Sequence, residues 1–155
     1  REQANMRIEI LCTGDEILTG KTINTNYGHI ARRLLDVGLE PHWGTVVGDD
    51  RDALLTAFRQ AAQRARAVIV NGGLGPTVDD LSQEIAAQAA GVALVLHEPW
   101  LARMEGFYAA RSRPMPPNNR KQAMLPEGAA CIDNPIGTAC GFAGPIDGAR
   151  FLFTP

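Results

Sequence analysis

The sequence predicts a three-layer α/β/α sandwich built on a mostly parallel, mixed sheet, and three observations predict it. Strand and helix patterns alternate from residue 8 through residue 96, as winding of a parallel sheet requires. The run Ala67-Val68-Ile69-Val70 is apolar and rich in β-branched residues, as in a strand buried on both faces. Directly after it, Gly72-Gly73-Leu74-Gly75-Pro76 forces a sharp turn, and a helical pattern resumes. Strand, glycine loop and helix N-terminus together present free N–H groups and a positive dipole end to an anion. At 155 residues and 45% hydrophobic, the chain is long enough for one domain with a full core.

Taken in order, Ile8 to Cys12 reads as a first buried strand that delivers Thr13-Gly14-Asp15-Glu16 to its C-terminal end. Gly14 to Thr22 resembles a Walker A loop, but its spacing is one residue too long and Asp15 and Glu16 occupy phosphate-facing positions, so that reading is rejected. A helix is expected from Thr25 to Val37, with Ile30, Leu34 and Val37 as its stripe and Gly38 as its stop. His42 to Val47 reads as a strand ending in Gly48-Asp49-Asp50. Asp50 then caps a helix that buries Leu54, Phe58, Ala61 and Ala65. After the glycine loop, Asp80 is the expected N-cap with Gln83 as its capping-box partner, over a stripe of Ile85, Ala86, Ala89 and Ala90.

Gly91 ends that helix, Val92 to Leu96 reads as a short strand, and Pro99 opens a helix packing through Trp100, Met104 and Phe107. Arg113 to Pro117 excludes regular structure, and Asn118 is the expected cap of a short helix reaching Ala123 or Met124. Ala129 to Ile132 reads as a strand. A closing hairpin, Gly141 to Ala143 and Arg150 to Phe153 around Asp147-Gly148, adds antiparallel strands. The domain is expected to span residues 6–155, with Arg1 to Asn5 a cloning remnant or disordered ahead of Met6.

Composition narrows the function. The net charge is −2 and no basic run occurs, which argues against nucleic acid as a partner. Three widely spaced cysteines, Cys12, Cys131 and Cys140, argue against a disulfide framework or zinc site and for a reducing, cytoplasmic setting. No apolar run approaches the ~20 residues of a membrane span. His29, His42 and His97 have no ligand spacing, and Trp43 and Trp100 read as packing residues.

The chemistry is expected at the carboxyl ends of the parallel strands, where open α/β sheets bind ligands. Three successive strand ends carry acidic pairs: Asp15 and Glu16, Asp49 and Asp50, Asp79 and Asp80. Beside a glycine loop, such carboxylates hold a hard divalent cation against a phosphoanhydride. Singly, Asp50 and Asp80 are explained by helix capping, and Gly72 to Gly75 by a tight turn. Repetition at three strand ends favours the site.

Four segments then resemble one family. Thr13-Gly14-Asp15-Glu16-Ile17-Leu18-Thr19-Gly20, Val47-Gly48-Asp49-Asp50, Gly72 through Leu81, and Asn119-Arg120-Lys121-Gln122-Ala123 with Asn134-Pro135-Ile136-Gly137-Thr138-Ala139 resemble the N-terminal domain of the CinA family, competence/damage-inducible proteins within the MoaB/MogA-like molybdopterin-binding superfamily. The resemblance implies a homo-oligomer and a pyrophosphatase cleaving ADP-ribose or a related dinucleotide with Mg²⁺, Mn²⁺ or Co²⁺, together with K⁺. Asp49 and Asp80 are then catalytic, and Asp15, Glu16, Asp49 and Asp80 hold the metal. Gly72, Gly73, Leu74, Gly75, Thr77, Asn119, Lys121, Gly137 and Thr138 contact substrate and phosphate.

The sequence departs from the family pattern at Asn24, which replaces an aspartate, and at Asn71, Ser82 and Cys140. Its last residues, Phe151 to Pro155, match a run that continues in the family, so a domain truncated at that end is expected. Two alternatives accompany the hydrolase: a molybdopterin-binding protein with or without adenylyl transfer, and a non-catalytic oligomeric domain. The small-molecule partner is accordingly a nucleotide or a pterin.

Overall fold

The first strand, β1 (Ile8–Thr13), is buried along its whole length because it lies inside the sheet. The computed structural model describes residues 6–155; the expectation for residues 1–5 lies outside them. β2 (Trp43–Val47) and β3 (Ala67–Asn71) pair with β1 on either side, both parallel, with Ile10 opposite Gly44 and Ile69. β8 (Ala149–Thr154) continues the sheet in parallel beside β3, and β7 (Gly141–Ile146) and β6 (Ala130–Ile132) follow, giving the order β2-β1-β3-β8-β7-β6. Within this sheet β7 runs opposite to the other five strands.

Most of the helical mass lies on one face. α3 (Arg51–Arg64), α4 (Ser82–Ala90) and α5 (Glu98–Ala109) pack there, and Leu11, Val68, Val70, Phe58, Ile85, Trp100 and Phe151 share one buried cluster. Phe142 and Phe153 stack at 4.3 Å, with Phe58 edge-on to Phe153 at 5.6 Å. The opposite face carries α2 (Thr25–Asp36), which lies over β1 with Ile30 and Leu34 half-buried. A cleft of about 520 Å³ stays open beside it, lined by Ile8, Leu34, Leu39, Ile69 and Leu152.

The structure differs from the sequence expectation in six places. A one-turn helix, α1 (Asp15–Leu18), follows β1 unforeseen, because its four residues are too few for a periodic signal. Val37 is exposed rather than part of the α2 stripe, since the helix has ended one residue earlier. α4 begins after Leu81 with no side-chain cap, because the Asp80 carboxylate is engaged in the preceding turn and Gln83 reaches Leu74 O instead. β4 (Leu94–Leu96) leaves the main sheet to pair antiparallel with the unforeseen β5 (Met124–Pro126). β8, whose Phe151 and Phe153 fill the core, takes the place beside β3 that alternation assigns to β4. Finally, Pro117–Ala123 is a 3-10 helix preceded by Pro116 and has no Asn118 cap. Asp50 does cap α3, its Oδ1 accepting from Ala53 N at 2.8 Å.

Candidate functional site

The parallel strands end at one edge, and their loops meet there. Gly14 N donates to Val47 O at 3.0 Å, fixing the ends of β1 and β2 side by side. Asp15 and Asp49 then lock together: Asp49 N donates to Asp15 Oδ1 at 2.8 Å, and Asp15 N donates to Asp49 Oδ2 at 3.1 Å. A Cβ on Gly48 would sit 2.6 Å from Asp15 Oδ1, so only glycine admits this approach. Burial pushes the Asp49 carboxyl above its ordinary value; the Asp15 amide opposes that, while the charges of Asp15, Glu16 and Asp79 add to it. Four acidic groups thus share one electrostatic neighbourhood.

Beside this cluster the glycine loop leaves β3. Gly72 and Gly73 adopt positive φ, 105° and 73°, which side-chain-bearing residues avoid. A Cβ on Gly73 would meet Ser82 Oγ at 2.3 Å, and one on Gly72 would meet Thr13 Oγ1 at 2.7 Å. Ser82, fully buried, donates its hydroxyl to Gly72 O at 2.8 Å and its amide to Gly73 O at 3.0 Å, tying the loop to the start of α4. Leu74 anchors the loop in the core. Among the described residues, the amides of Gly73 and Gly75 have no protein acceptor.

Thr77 and Asp80 close the next turn on themselves. Asp80 Oδ2 accepts from Thr77 N at 2.9 Å and from Thr77 Oγ1 at 2.6 Å, and Lys121 Nζ donates to Asp80 O at 2.7 Å and to Thr77 O. Lys121 therefore clamps the turn with two of its three N–H groups. Asn119 is buried, its amide donating to Gln122 Oε1 at 2.9 Å. Gly137 and Thr138 lie in the loop between β6 and β7, held by α5: Trp100 Nε1 donates to Thr138 O at 3.0 Å, and Arg103 reaches Asp133 and Asn134 O. The structure thus gathers Asp15, Glu16, Asp49 and the glycine loop at one edge. Asn119 is internal, and Gly137 and Thr138 are tied to α5.

Residues that sequence reasoning left aside complete the edge. A cleft of about 250 Å³ opens between β1, the start of α2 and β3, lined by Thr13, Glu16, Asn24, Asn26, Asn71 and Gly72 among others. Asn24 Oδ1 caps α2 through Tyr27 N, Asn26 Nδ2 donates to Asn71 Oδ1 at 2.9 Å, and Asn71 Nδ2 reaches Thr154 Oγ1. Thr13 Oγ1 is buried and lacks a partner in the protein. Asn71, a polar residue closing an otherwise apolar strand, was the signal available in sequence.

Among the described residues no group of three or more His, Cys, Asp or Glu is arranged to hold a metal ion. Asp15 and Asp49 nonetheless supply two adjacent carboxylates that could hold a Mg²⁺ ion. Each carboxylate keeps one oxygen outside the mutual clasp, and Mg²⁺ is held by one or two carboxylates plus substrate phosphates rather than an all-protein cage. A cation there would also relieve the repulsion that raises Asp49. Asp80 has one carboxylate oxygen committed to Thr77.

Comparison with known proteins is consistent with this architecture. Residues 9–153 match the family model MoCF_biosynth, "Probable molybdopterin binding domain". A "CinA-like protein" of Escherichia coli O9:H4 (strain HS) is 49% identical over 150 residues, 97% of this chain. The equivalent protein of strain K12 is called "NMN amidohydrolase-like protein YfaY" and matches to the same extent. The chain spans 38% of the length of these relatives. Among solved structures, CinA from Thermoplasma acidophilum, of unknown function, superposes with a TM-score of 0.87 at 34% identity, covering 96% of this chain and 86% of that one. MoaB from Thermus thermophilus shares the fold, with a TM-score of 0.58 at 21% identity over 96% of this chain and 79% of its own. Among the described residues no helix is long and apolar enough to cross a membrane. With the family model matched from β1 to β8 and a CinA structure superposing on almost the whole chain, this protein belongs to the molybdopterin-binding domain family, in its CinA-like branch.

Proposed function

We propose that this domain hydrolyses the phosphoanhydride of ADP-ribose or a related dinucleotide with a divalent cation, yielding AMP and ribose 5-phosphate from ADP-ribose and water. One observation carries the reading: the Asp15–Asp49 clasp, partly desolvated, stands beside a glycine loop in which, among the described residues, the Gly73 and Gly75 amides have no protein acceptor. Bound there, the cation would neutralise phosphate charge and polarise the bridge. The residues' own work is positional. The Gly73 and Gly75 amides, which have no protein acceptor among the described residues, would receive the anion, and the carboxylate oxygens of Asp15 and Asp49 outside the clasp would hold the cation. Lys121 and Asp80 keep the 77–80 turn in shape, and the Asp80 carboxylate, which lies against Gly75 of the glycine loop, would add its charge to the field at the cation. The unpartnered Thr13 hydroxyl and the Glu16 carboxylate, both lining the neighbouring cleft, suit the hydroxyl-rich sugar end of such a substrate.

The K12 relative's name supports hydrolysis in the coarse sense. Its amide chemistry we assign to the part of those relatives outside the matched segment, because carboxylates beside a glycine loop are suited to phosphorus rather than to an amide. Separation of nucleotide products after incubation with ADP-ribose, with and without Mg²⁺, tests the proposal.

A second reading has its own support. The family's description and the shared MoaB fold favour a pterin ligand on the same edge, with or without adenylyl transfer. Fluorescence titration with molybdopterin in the absence of nucleotide separates the two.

A further inference from the structure

Cys131 and Cys140 stand on the two sides of one hairpin mouth. Cys131, in β6, is opposite Phe142 of β7, which makes Cys140 its diagonal neighbour on the same face. The ladder stops at the pair Ile132–Gly141, and residues 133–139 close the gap as a loop. Both thiols are free. Cys140 is buried, its Sγ 3.9 Å from Gln122 O, whereas Cys131 is half-buried and packs against the same core.

We propose that Cys131 and Cys140 are a modification site for small-molecule disulfides, closing reversibly into a cross-link at the base of the 133–139 loop. The proximity of the thiols supports this. Cys140 is pushed up to about 12, first by burial and then by Cys131. That makes Cys140 the resolving sulfur and leaves the attack to Cys131, the more accessible of the two. The Cys131 thiolate attacks one sulfur of the external disulfide, forming a mixed disulfide and expelling one thiolate, which takes up a proton. The Cys140 thiolate then attacks the Cys131 sulfur and expels the second. In sum, two protein thiols and one external disulfide become one protein disulfide and two external thiols, with two electrons passing to the reagent.

The cross-link has a mechanical consequence. Diagonal neighbours in an antiparallel ladder have Cα atoms ~7–8 Å apart, slightly beyond the ~4.4–6.8 Å that a disulfide takes. Cys140 lies just outside the ladder, so closure draws it toward β6. The pull passes into the loop because Asn134 Nδ2 donates to Ala139 O at 2.8 Å, while the bond from Trp100 Nε1 to Thr138 O holds the other side of the loop to α5. Oxidation thereby tightens the segment that carries Gly137 and Thr138.

The test is mass spectrometry of the folded, reduced protein after exposure to oxidised glutathione. The expected product has lost two hydrogens and yields one cross-linked peptide pair, Cys131 with Cys140, while Cys12, buried in β1, stays free. Cys140→Ser is expected to stop at a glutathione adduct on Cys131, and hydrogen exchange of 133–139 is expected to slow in the oxidised wild type. A persistent adduct on wild-type Cys131 without closure, a linkage involving Cys12, or exchange unchanged on oxidation would overturn the proposal. The peptide map of the wild type decides even if a variant fails to fold.

Discussion

Asp15 and Asp49 each donate a backbone amide to the other's carboxylate, at 3.1 and 2.8 Å. This reciprocal bonding brings together two carboxylates 34 residues apart in the chain. Burial first, and then the neighbouring charges of Asp15, Glu16 and Asp79, raise the Asp49 carboxyl. A carboxyl raised in the folded state binds its proton more tightly there. Its stabilising contribution is therefore complete at pH below the ordinary aspartate value and is lost as pH rises through the raised one. Asp49→Asn keeps an acceptor for the Asp15 amide and removes the charge. Its melting temperature at neutral pH should equal or exceed that of the wild type, with the difference closing in acid. Turnover should fall ~100-fold or more, since even the outer partners of a metal cost 10–100-fold. A lower melting temperature at neutral pH would show that the ionised carboxylate stabilises the fold.

Asp80 tests the turn that follows. Asp80→Asn retains an oxygen for Thr77 N and should leave the denaturant midpoint unchanged while reducing turnover by ~10-fold or more. Asp80→Ala frees the Thr77 amide and hydroxyl and should lower stability by about 1–2 kcal/mol. Equal turnover in wild type and Asp80→Asn would confine this residue to shaping the turn.

Gly73→Ala places a methyl 2.3 Å from Ser82 Oγ on a backbone with φ of 73°. Strain at such positions is on the order of 1–3 kcal/mol. Urea denaturation should show a loss of that size, and the disturbed glycine loop should weaken phosphate binding in calorimetry.

Glu9 is fully buried and accepts two bonds from Arg64, at 2.9 and 2.6 Å, with Thr45 donating to the same carboxylate. Removing one member of a buried pair costs ~3–5 kcal/mol. The Arg64 side chain is 37% exposed and stays near the Trp43 ring at 5.3 Å, so Glu9→Ala should lose roughly 2–3 kcal/mol, below that range. Denaturant midpoints of Glu9→Ala and Arg64→Ala check this, with the larger loss expected for Arg64→Ala, which leaves the fully buried Glu9 carboxylate without its cation.

What the sequence made legible was local. Val68 and Val70 advertise a buried strand, Gly72 and Gly73 a turn at positive φ, and Asp50 a cap, since its partner Ala53 is three residues away. Asp80 has an equally local pattern for capping α4. Its real use as the clasp of Thr77 is fixed by Lys121, 41 residues on. The place of β8 beside β3 depends on Phe151 and Phe153 reaching a core assembled from distant helices, which no window of sequence displays. The site follows the same division. The meeting of Asp15 with Asp49 was readable because both follow strand ends, whereas the internal role of Asn119 depends on its bond to Gln122, whose own amide reaches Leu74 O, 48 residues away.

The proposed function stands or falls on metal-dependent chemistry at phosphorus at the Asp15–Asp49 edge. The most direct measurement is product analysis with ADP-ribose, with Mg²⁺ or with chelator, on wild type and Asp49→Asn side by side. The account predicts AMP and ribose 5-phosphate from the wild type with Mg²⁺ alone, and a loss of at least ~100-fold in the variant. Equal turnover in Asp49→Asn, or turnover by the wild type unchanged in chelator, would contradict it.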